Sequence, residues 1–182
     1  MLIFRKATER DASSIARLHA TSWKQHYRGA FSDTFLDTQA LEDRSRVWSD
    51  RLINPVSNQF VSVVEHDASI VGFVCAYFQD STEYGTLLDN LHVSMAMKGK
   101  GIGKQLMGIV ANEIKMNYPK TGMYLWVLEQ NLDARHFYEV MGGQKIETVA
   151  GHDIGDRPIM KVRYYWPSLE KLLVKANLRP RG

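Results

Sequence analysis

Leu91-His-Val-Ser-Met-Ala-Met-Lys-Gly-Lys-Gly-Ile-Gly-Lys-Gln-Leu106 is the stretch that decides the fold. An apolar strand from Thr86 to Val93 runs into it and a short turn follows. A helix then opens behind glycines at every second position, Gly99, Gly101 and Gly103. Ile102, Leu106, Ile109, Val110 and Ile114 lie on one face of that helix, which must stop before Pro119. Each glycine at a helix start costs about 1 kcal/mol relative to alanine, so the spacing asks for a compensating use. Lacking a Cβ, glycine lets the backbone pass close to a ligand and turn successive amides the same way. Those amides, with the positive end of the helix dipole, form an anion site suited to a diphosphate. Lys98, Lys100 and Lys104 add charge at its rim. A Walker A loop is excluded, because Gly103-Lys104 is followed by Gln105 and the upstream glycine is missing. The Gly-x-Gly-x-x-Gly dinucleotide pattern is also absent.

Upstream, residues 2 to 6 read as a short strand. Thr8-Glu-Arg-Asp11 reads as a capping box opening a helix through Ala12, Ile15, Leu18, His19, Ser22 and Trp23. Residues 40 to 53 repeat the helical pattern with Leu41, Val47, Trp48 and Leu52 until Asn54-Pro55. Phe60 to His66 and Ile70 to Phe78, on either side of Asp67-Ala-Ser69, make a hairpin. Downstream, Met123 to Leu128 is a strand and Leu132 to Met141 a helix stopped by Gly142-Gly143. Gln144 to Val149 and Ile159 to Trp166 form a last strand pair around a polar turn region. This order predicts an α/β protein, a mixed sheet with helices on both faces. Residues 1 to 166 make one domain in this reading, and 167 to 182 belong to it. Leu169, Leu172, Leu173 and Ala176 mark an amphipathic helix from Ser168 to Leu178. That helix covers the domain's own edge or, alternatively, docks onto a second subunit in a homodimer.

With 182 residues, 45% of them hydrophobic, the chain can build a core without disulfide or metal support. A net charge of +3 is too mild to argue for nucleic acid. No apolar run approaches the roughly 18 residues of a membrane span, and Met1-Leu-Ile-Phe-Arg5 reads as a strand and not a signal peptide. The single Cys75 excludes an internal disulfide and reads as a core thiol. A cytoplasmic protein with no metal, nucleic-acid or membrane partner is expected.

Lys98 to Gly103 resembles the Gln/Arg-x-x-Gly-x-Gly/Ala motif of the GNAT superfamily of N-acetyltransferases. Leu125-Trp-Val-Leu-Glu-Gln-Asn-Leu-Asp-Ala-Arg-His-Phe-Tyr-Glu-Val-Met-Gly142 resembles that family's following strand and helix. The element order matches too, through about Trp166. Lys98 departs from the pattern: it meets a phosphate as a point charge and cannot fork bidentately. The resemblance implies a mostly antiparallel sheet of six to seven strands, splayed into a V between the strands ending at Val93 and Leu128. It also implies acetyl-coenzyme A bound in that cleft. The backbone of Leu91, His92 and Val93 would pair with the pantetheine arm, and Gly99, Lys100, Gly101, Ile102, Gly103 and Lys104, with Lys98, would hold the pyrophosphate. Asn131 would contact the arm, and Tyr138 would point at the thioester sulfur.

An attacking amine must first lose a proton, and the leaving thiolate benefits from a donor. Tyr138 suits the donor role, with a hydroxyl on an apolar body. Asp89 is the chosen base. Lying four residues before Val93, it should share that residue's face of the strand, and a carboxylate among Leu87, Leu88 and Leu91 is costly unless solvated or used. The alternative is an Asp89 paired with a buried Lys or Arg. His92 is the rival base by its ordinary pKa, but alternation turns it to the opposite face, where a core histidine is expected. The resemblance assigns acceptor selection to the loop after the first helix and to the later hairpin. Trp23, His26, Tyr27 and Phe31, with Trp126, are the candidates there, and Glu83 and Tyr84 stand nearby. The expected activity is acetyl transfer to a small primary amine by direct attack in a ternary complex. The alternatives are a protein N-terminal or lysine acetyltransferase, or a non-catalytic acyl-coenzyme A-binding module.

Overall fold

In the computed structural model, residues 1–151 and 158–177 are described. β1 (Leu2–Lys6) leads to α1 (Ala12–His26) and α2 (Ala40–Ile53). β2 (Gln59–His66), β3 (Ser69–Ser81) and β4 (Gly85–Val93) follow, then α3 (Ile102–Asn117) and β5 (Met123–Leu128). α4 (Leu132–Val140), β6 (Gln144–Gly151), β7 (Ile159–Trp166) and α5 (Glu170–Lys175) close the chain. The expected alternation is present throughout. The turn region at 152–157 and the helix end at Leu178 lie outside the described residues.

One seven-stranded sheet has the order β1-β2-β3-β4-β5-β7-β6. β7 inserts between β5 and β6, and only the β4–β5 pair is parallel. Both faces are covered, which is why β2 and β3 read as nearly continuous apolar runs. Val61, Val63, Phe73 and Cys75 pack under Ile15, Ala16 and Trp48 of α1 and α2. Phe60, Val64, Val74 and Ala76 face Leu106, Val110 and Ile114 of α3, with Tyr138 and Met141 on the same side. Leu169, Leu172, Leu173 and Ala176 join this second layer, so α5 covers the sheet's own α3 side.

Thr8 N–H donates to Asp11 Oδ2 at 2.7 Å as the capping reading expects, but the box closes a 3₁₀ turn, and α1 starts one residue later. Of the stripe expected on α2, Trp48 and Leu52 pack into the core, but Leu41 does not. Leu41 is exposed at 47%, while Ala40 and Trp48 are fully buried. Arg44 and Arg51 stand on the Trp48 side, their guanidinium carbons 4.1 Å from the Trp23 ring centroid and 5.2 Å from that of Trp48. Stacked guanidinium planes cover apolar surface as well as leucine does.

Candidate active site

β4 and β5 make the site by parting. They pair only at Thr86–Met123 and Leu87–Tyr124. Glycine at 85 permits that contact, since a Cβ there would lie 2.4 Å from the Gly122 carbonyl oxygen. Beyond it, the β5-facing edge of residues 88–93 has no ladder partner. A cleft of ≈ 440 Å³ opens in the gap under the starts of α3 and α4. Leu91, His92, Val93, Lys98, Gly99, Gly101, Ile102, Gly103, Lys104, Asn131 and Tyr138 line it, joined by Tyr27, Asp89 and Trp126. Lys100 does not, because its ammonium turns back onto Met97 Sδ at 3.3 Å.

Gly99 and Gly101 hold φ of +77° and +78°, the left-handed region, and an added Cβ at either would meet nothing within 4 Å. Among the described residues, the amides from Gly99 to Lys104 find no backbone acceptor. The ladder of α3 begins with Gln105 N–H donating to Gly101 O at 3.1 Å. Amides without backbone acceptors at a helix start are a cradle for an anion. Gly103 plays a second part: a Cβ there would stand 3.3 Å from Phe137 Cζ, so its bareness lets α4 close on α3. Ile102 is 1% exposed and packs into the core beneath the turn.

Lys98 Nζ sits 3.1 Å from His26 Nε2. Burial and this ammonium lower the His26 pKa, so the ring is neutral and its nitrogen accepts. His26 therefore belongs to the glycine cleft and not to the acceptor surface expected for it. Asn131 Oδ1 accepts from Ala134 N–H at 3.2 Å, capping α4, and its amide NH₂ makes no hydrogen bond among the described residues. Tyr138 is 8% exposed at the cleft wall, and its hydroxyl has no partner among the described residues. Burial, with a smaller contribution from Tyr27, pushes its pKa well above the ordinary value, so it keeps its proton and can donate it.

The strand argument for Asp89 fails on a bulge. Cys75 pairs with Asn90 but Ala76 pairs with Leu88, leaving Asp89 as the extra residue. The slip turns its carboxylate away from the Val93 face and toward α2. There Arg51 Nη1 donates to Asp89 Oδ2 at 2.8 Å and to Asn90 Oδ1 at 3.0 Å. The alternative of an arginine partner is thus realised, and Oδ1 keeps no hydrogen bond among the described residues. His92 does face the other way from Val93, as alternation requires. Its Nδ1 lies 2.7 Å from Ser22 Oγ, and its ring is 4.5 Å from that of His19 and 5.1 Å from that of Phe73. Burial and then the neighbouring His26, Lys98 and Arg44 push its pKa down to about 3, so it is neutral near pH 7.

A second cleft adjoins the first. Trp23, Phe31 and Phe35 line one side, Arg44 and Arg51 of α2 another, and Tyr124, Trp126 and Lys161 face them from β5 and β7. The two clefts share Tyr27, Leu88, Asp89, Asn90 and Trp126. Trp23 thus stands in the second cleft only. Glu83 and Tyr84 line neither; Tyr84 instead stacks on Arg163, whose guanidinium carbon is 4.1 Å from its ring centroid. Sequence reading missed Arg44, Arg51 and Ser22. The signal for the arginines was their i, i+7 spacing around Trp48, passed over because only apolar residues were counted.

A sequence model of the Acetyltransferase (GNAT) family matches residues 17–142, well over half of the chain. The chain is 24% identical over 179 residues to the uncharacterized N-acetyltransferase YuaI of Bacillus subtilis, covering 97% of this chain and 99% of that one. Its fold is similar to that of the PaiA N-acetyltransferase of Thermoplasma acidophilum, solved with coenzyme A, at TM-score 0.71 and 19% identity over 91% of this chain and 99% of that one. It is similar also to yncA of Salmonella typhimurium, a putative acetyltransferase solved with acetyl-coenzyme A, at TM-score 0.65 and 17% identity over 91% and 93%. With the splayed strands, the glycine turn and the following helix all within the matched residues, the chain belongs to the GNAT family of acetyltransferases.

Proposed function

We propose that the chain transfers the acetyl group of acetyl-coenzyme A to a primary amine of a small molecule, by direct attack with both substrates bound. The observation that carries this reading is the meeting of two clefts at Asp89. One is floored by a free strand edge and closed by the Gly99 to Lys104 amides, which find no backbone acceptor among the described residues; the other is walled by aromatic and charged side chains. Two structures of similar fold hold coenzyme A or its acetyl form, and the amide cradle fits the pyrophosphate of such a molecule.

Bound acetyl-coenzyme A would supply the acetyl group activated as a thioester. Amides from Gly99 to Lys104 hold the pyrophosphate, with Lys98 and Lys104 adding charge. The unpaired edge at Leu91–Val93 takes the pantetheine amides as a strand takes a partner. Tyr138, protonated and buried, hands its proton to the departing sulfur. Asp89, oriented by Arg51 and Asn90, uses the uncommitted Oδ1 to receive the amine's proton, directly or through a water. Ser22 fixes the His92 ring, and the cleft wall it forms is neutral. The buried Cys75, whose thiol burial pushes up to about 12, suits the reducing cytoplasm.

The test is a panel of small amines with acetyl-coenzyme A, following thiol release and the mass of the product. Thiol release that no amine accelerates, with binding intact, would refute acetyl transfer. For the base, the acidic limb of the kcat/KM profile should vanish in Asp89→Asn and persist in His92→Gln. The reverse pattern would move the role to His92.

A further inference from the structure

The second cleft carries a charge pattern that selects among amines. α2 places Arg44 and Arg51 two helical turns apart, and aromatic rings hold both guanidinium planes: Arg44 over Trp23 at 4.1 Å, Arg51 over Trp48 at 5.2 Å and Tyr77 at 5.7 Å. Arg44 spends Nε and Nη2 on Asp43 Oδ2, at 2.9 and 2.5 Å. Arg51 spends Nη1 on Asp89 and Asn90. Among the described residues, Nη1 of Arg44 makes no hydrogen bond. Across the cleft, the Lys161 ammonium lies 4.7 Å from the Trp126 ring centroid.

Among the described residues, the guanidinium groups of Arg44 and Arg51 line this cleft beside two carboxylates, Asp43 and Asp89. Both carboxylates are already engaged by arginine, and Asp43 also by Arg46 at 3.2 Å. A second ammonium on the acceptor would face both guanidinium groups and would find Asp43 and one oxygen of Asp89 already bound to arginine, whereas an anionic group would meet rigid donors. Guanidinium edges held flat by stacking match the planar carboxylate in particular. Spacing narrows the class further. Arg51 touches Asp89 directly, and Asp89 is where the two clefts meet, so the anionic group and the reacting nitrogen must sit close together. Tyr27, Phe35 and Trp126 leave an aromatic wall for an uncharged side chain.

We infer that the acceptor is an α-amino acid with an apolar or aromatic side chain, its carboxylate received by Arg44 and Arg51. This rests on the acetyl-transfer reading and adds the acceptor class to it. The experiment compares three arms under saturating acetyl-coenzyme A: L-phenylalanine, L-leucine and L-methionine; the amines left when each loses its carboxylate; and putrescine with spermidine. Because hydrogen bonds to charged groups are the strong ones, kcat/KM for the acids should exceed that of the matched amines by about 10- to 100-fold. Arg44→Gln should collapse this ratio toward one through a raised KM for the acids, while the thermal response to acetyl-coenzyme A shows that the variant is folded. Monoamines or polyamines turned over as well as the acids would overturn the inference and leave acetyl transfer standing. Thiol release with no member of any arm would overturn both.

Discussion

Substituting Gly101 separates the two roles of the glycine turn. Gly101 sits at φ +78° with nothing within 4 Å of its missing Cβ. Gly101→Ala therefore meets no neighbour and should cost the folded state only the left-handed strain, about 1 kcal/mol. For a chain of this length that lowers Tm by about 2–4 °C. Gly101→Asp carries the same strain and adds a carboxylate where the diphosphate must approach. Two unit charges about 4 Å apart near a protein surface repel by about 4 kcal/mol, a loss of roughly 10³ in affinity. Calorimetric titration with acetyl-coenzyme A, beside thermal melts without it, reads both quantities. The alanine variant should bind within about tenfold of the parent. The aspartate variant should melt like the alanine one and show no acetyl-coenzyme A response at millimolar concentration. An aspartate variant that binds as tightly as the parent would mean that the pyrophosphate does not lie against these amides.

Tyr138→Phe removes one hydroxyl that has no partner among the described residues. It should leave Tm and acetyl-coenzyme A affinity near the parent values while kcat falls about 10²–10⁴-fold, and unchanged turnover would return the residue to the core. Asp11 is held by Arg5 through two hydrogen bonds of 2.8 Å and by the Thr8 amide, and these lower its pKa. Asp11→Asn should cost about 2 kcal/mol, discounted from the full cost of breaking a buried pair because Arg5 is partly exposed, as read from urea unfolding at pH 7. Since the folded pKa is the lower one, that difference should be complete above the unfolded value of 3.8 and be lost as pH falls from there through the folded pKa. Burial likewise lowers the pKa of His19 well below its ordinary value, and that of His92 to about 3. Unfolding lets both rings take protons, so stability should be full above about pH 6.5 and fall as pH drops toward 3, by up to about 1.4 kcal/mol per pH unit for each. His92→Gln should flatten part of that slope, and an unchanged slope would mean that the ring is not held neutral.

Period and punctuation carried most of the fold. Apolar residues at helical spacing located α1, α3 and α4, and continuous apolar runs located β2 and β3, because each pattern reports a neighbouring surface within a few residues. The insertion of β7 between β5 and β6 left no such trace, since strand order is settled by contacts between distant segments. Asp89 shows the limit more sharply: alternation assumes an unbroken ladder, and one extra residue between Leu88 and Asn90 reversed the inferred direction. Arg51 was invisible as its partner because the two are 38 residues apart. On α2, the apolar count placed Trp48 and Leu52 correctly but also took in the exposed Leu41, and it passed over the arginines that cover Trp23 and Trp48. The glycine turn was legible because helix-breaking residues at a helix start ask for a reason that lies within the motif itself.

The parting of β4 and β5 has a mechanical side. Four strands on one side and three on the other are joined through two residue pairs of ladder, so the sheet is a hinged plate with its seam along the cleft. A molecule lying along residues 88–93 and anchored at the start of α3 would act as a splint across that seam. Amides on the free edge of β4 should exchange hydrogen quickly in the unliganded protein and slow in step with occupancy. The melting temperature should keep rising with ligand concentration, as RT ln(1 + [L]/Kd) requires. Rigidity in this protein is then partly borrowed from the substrate, and returned each time the product leaves.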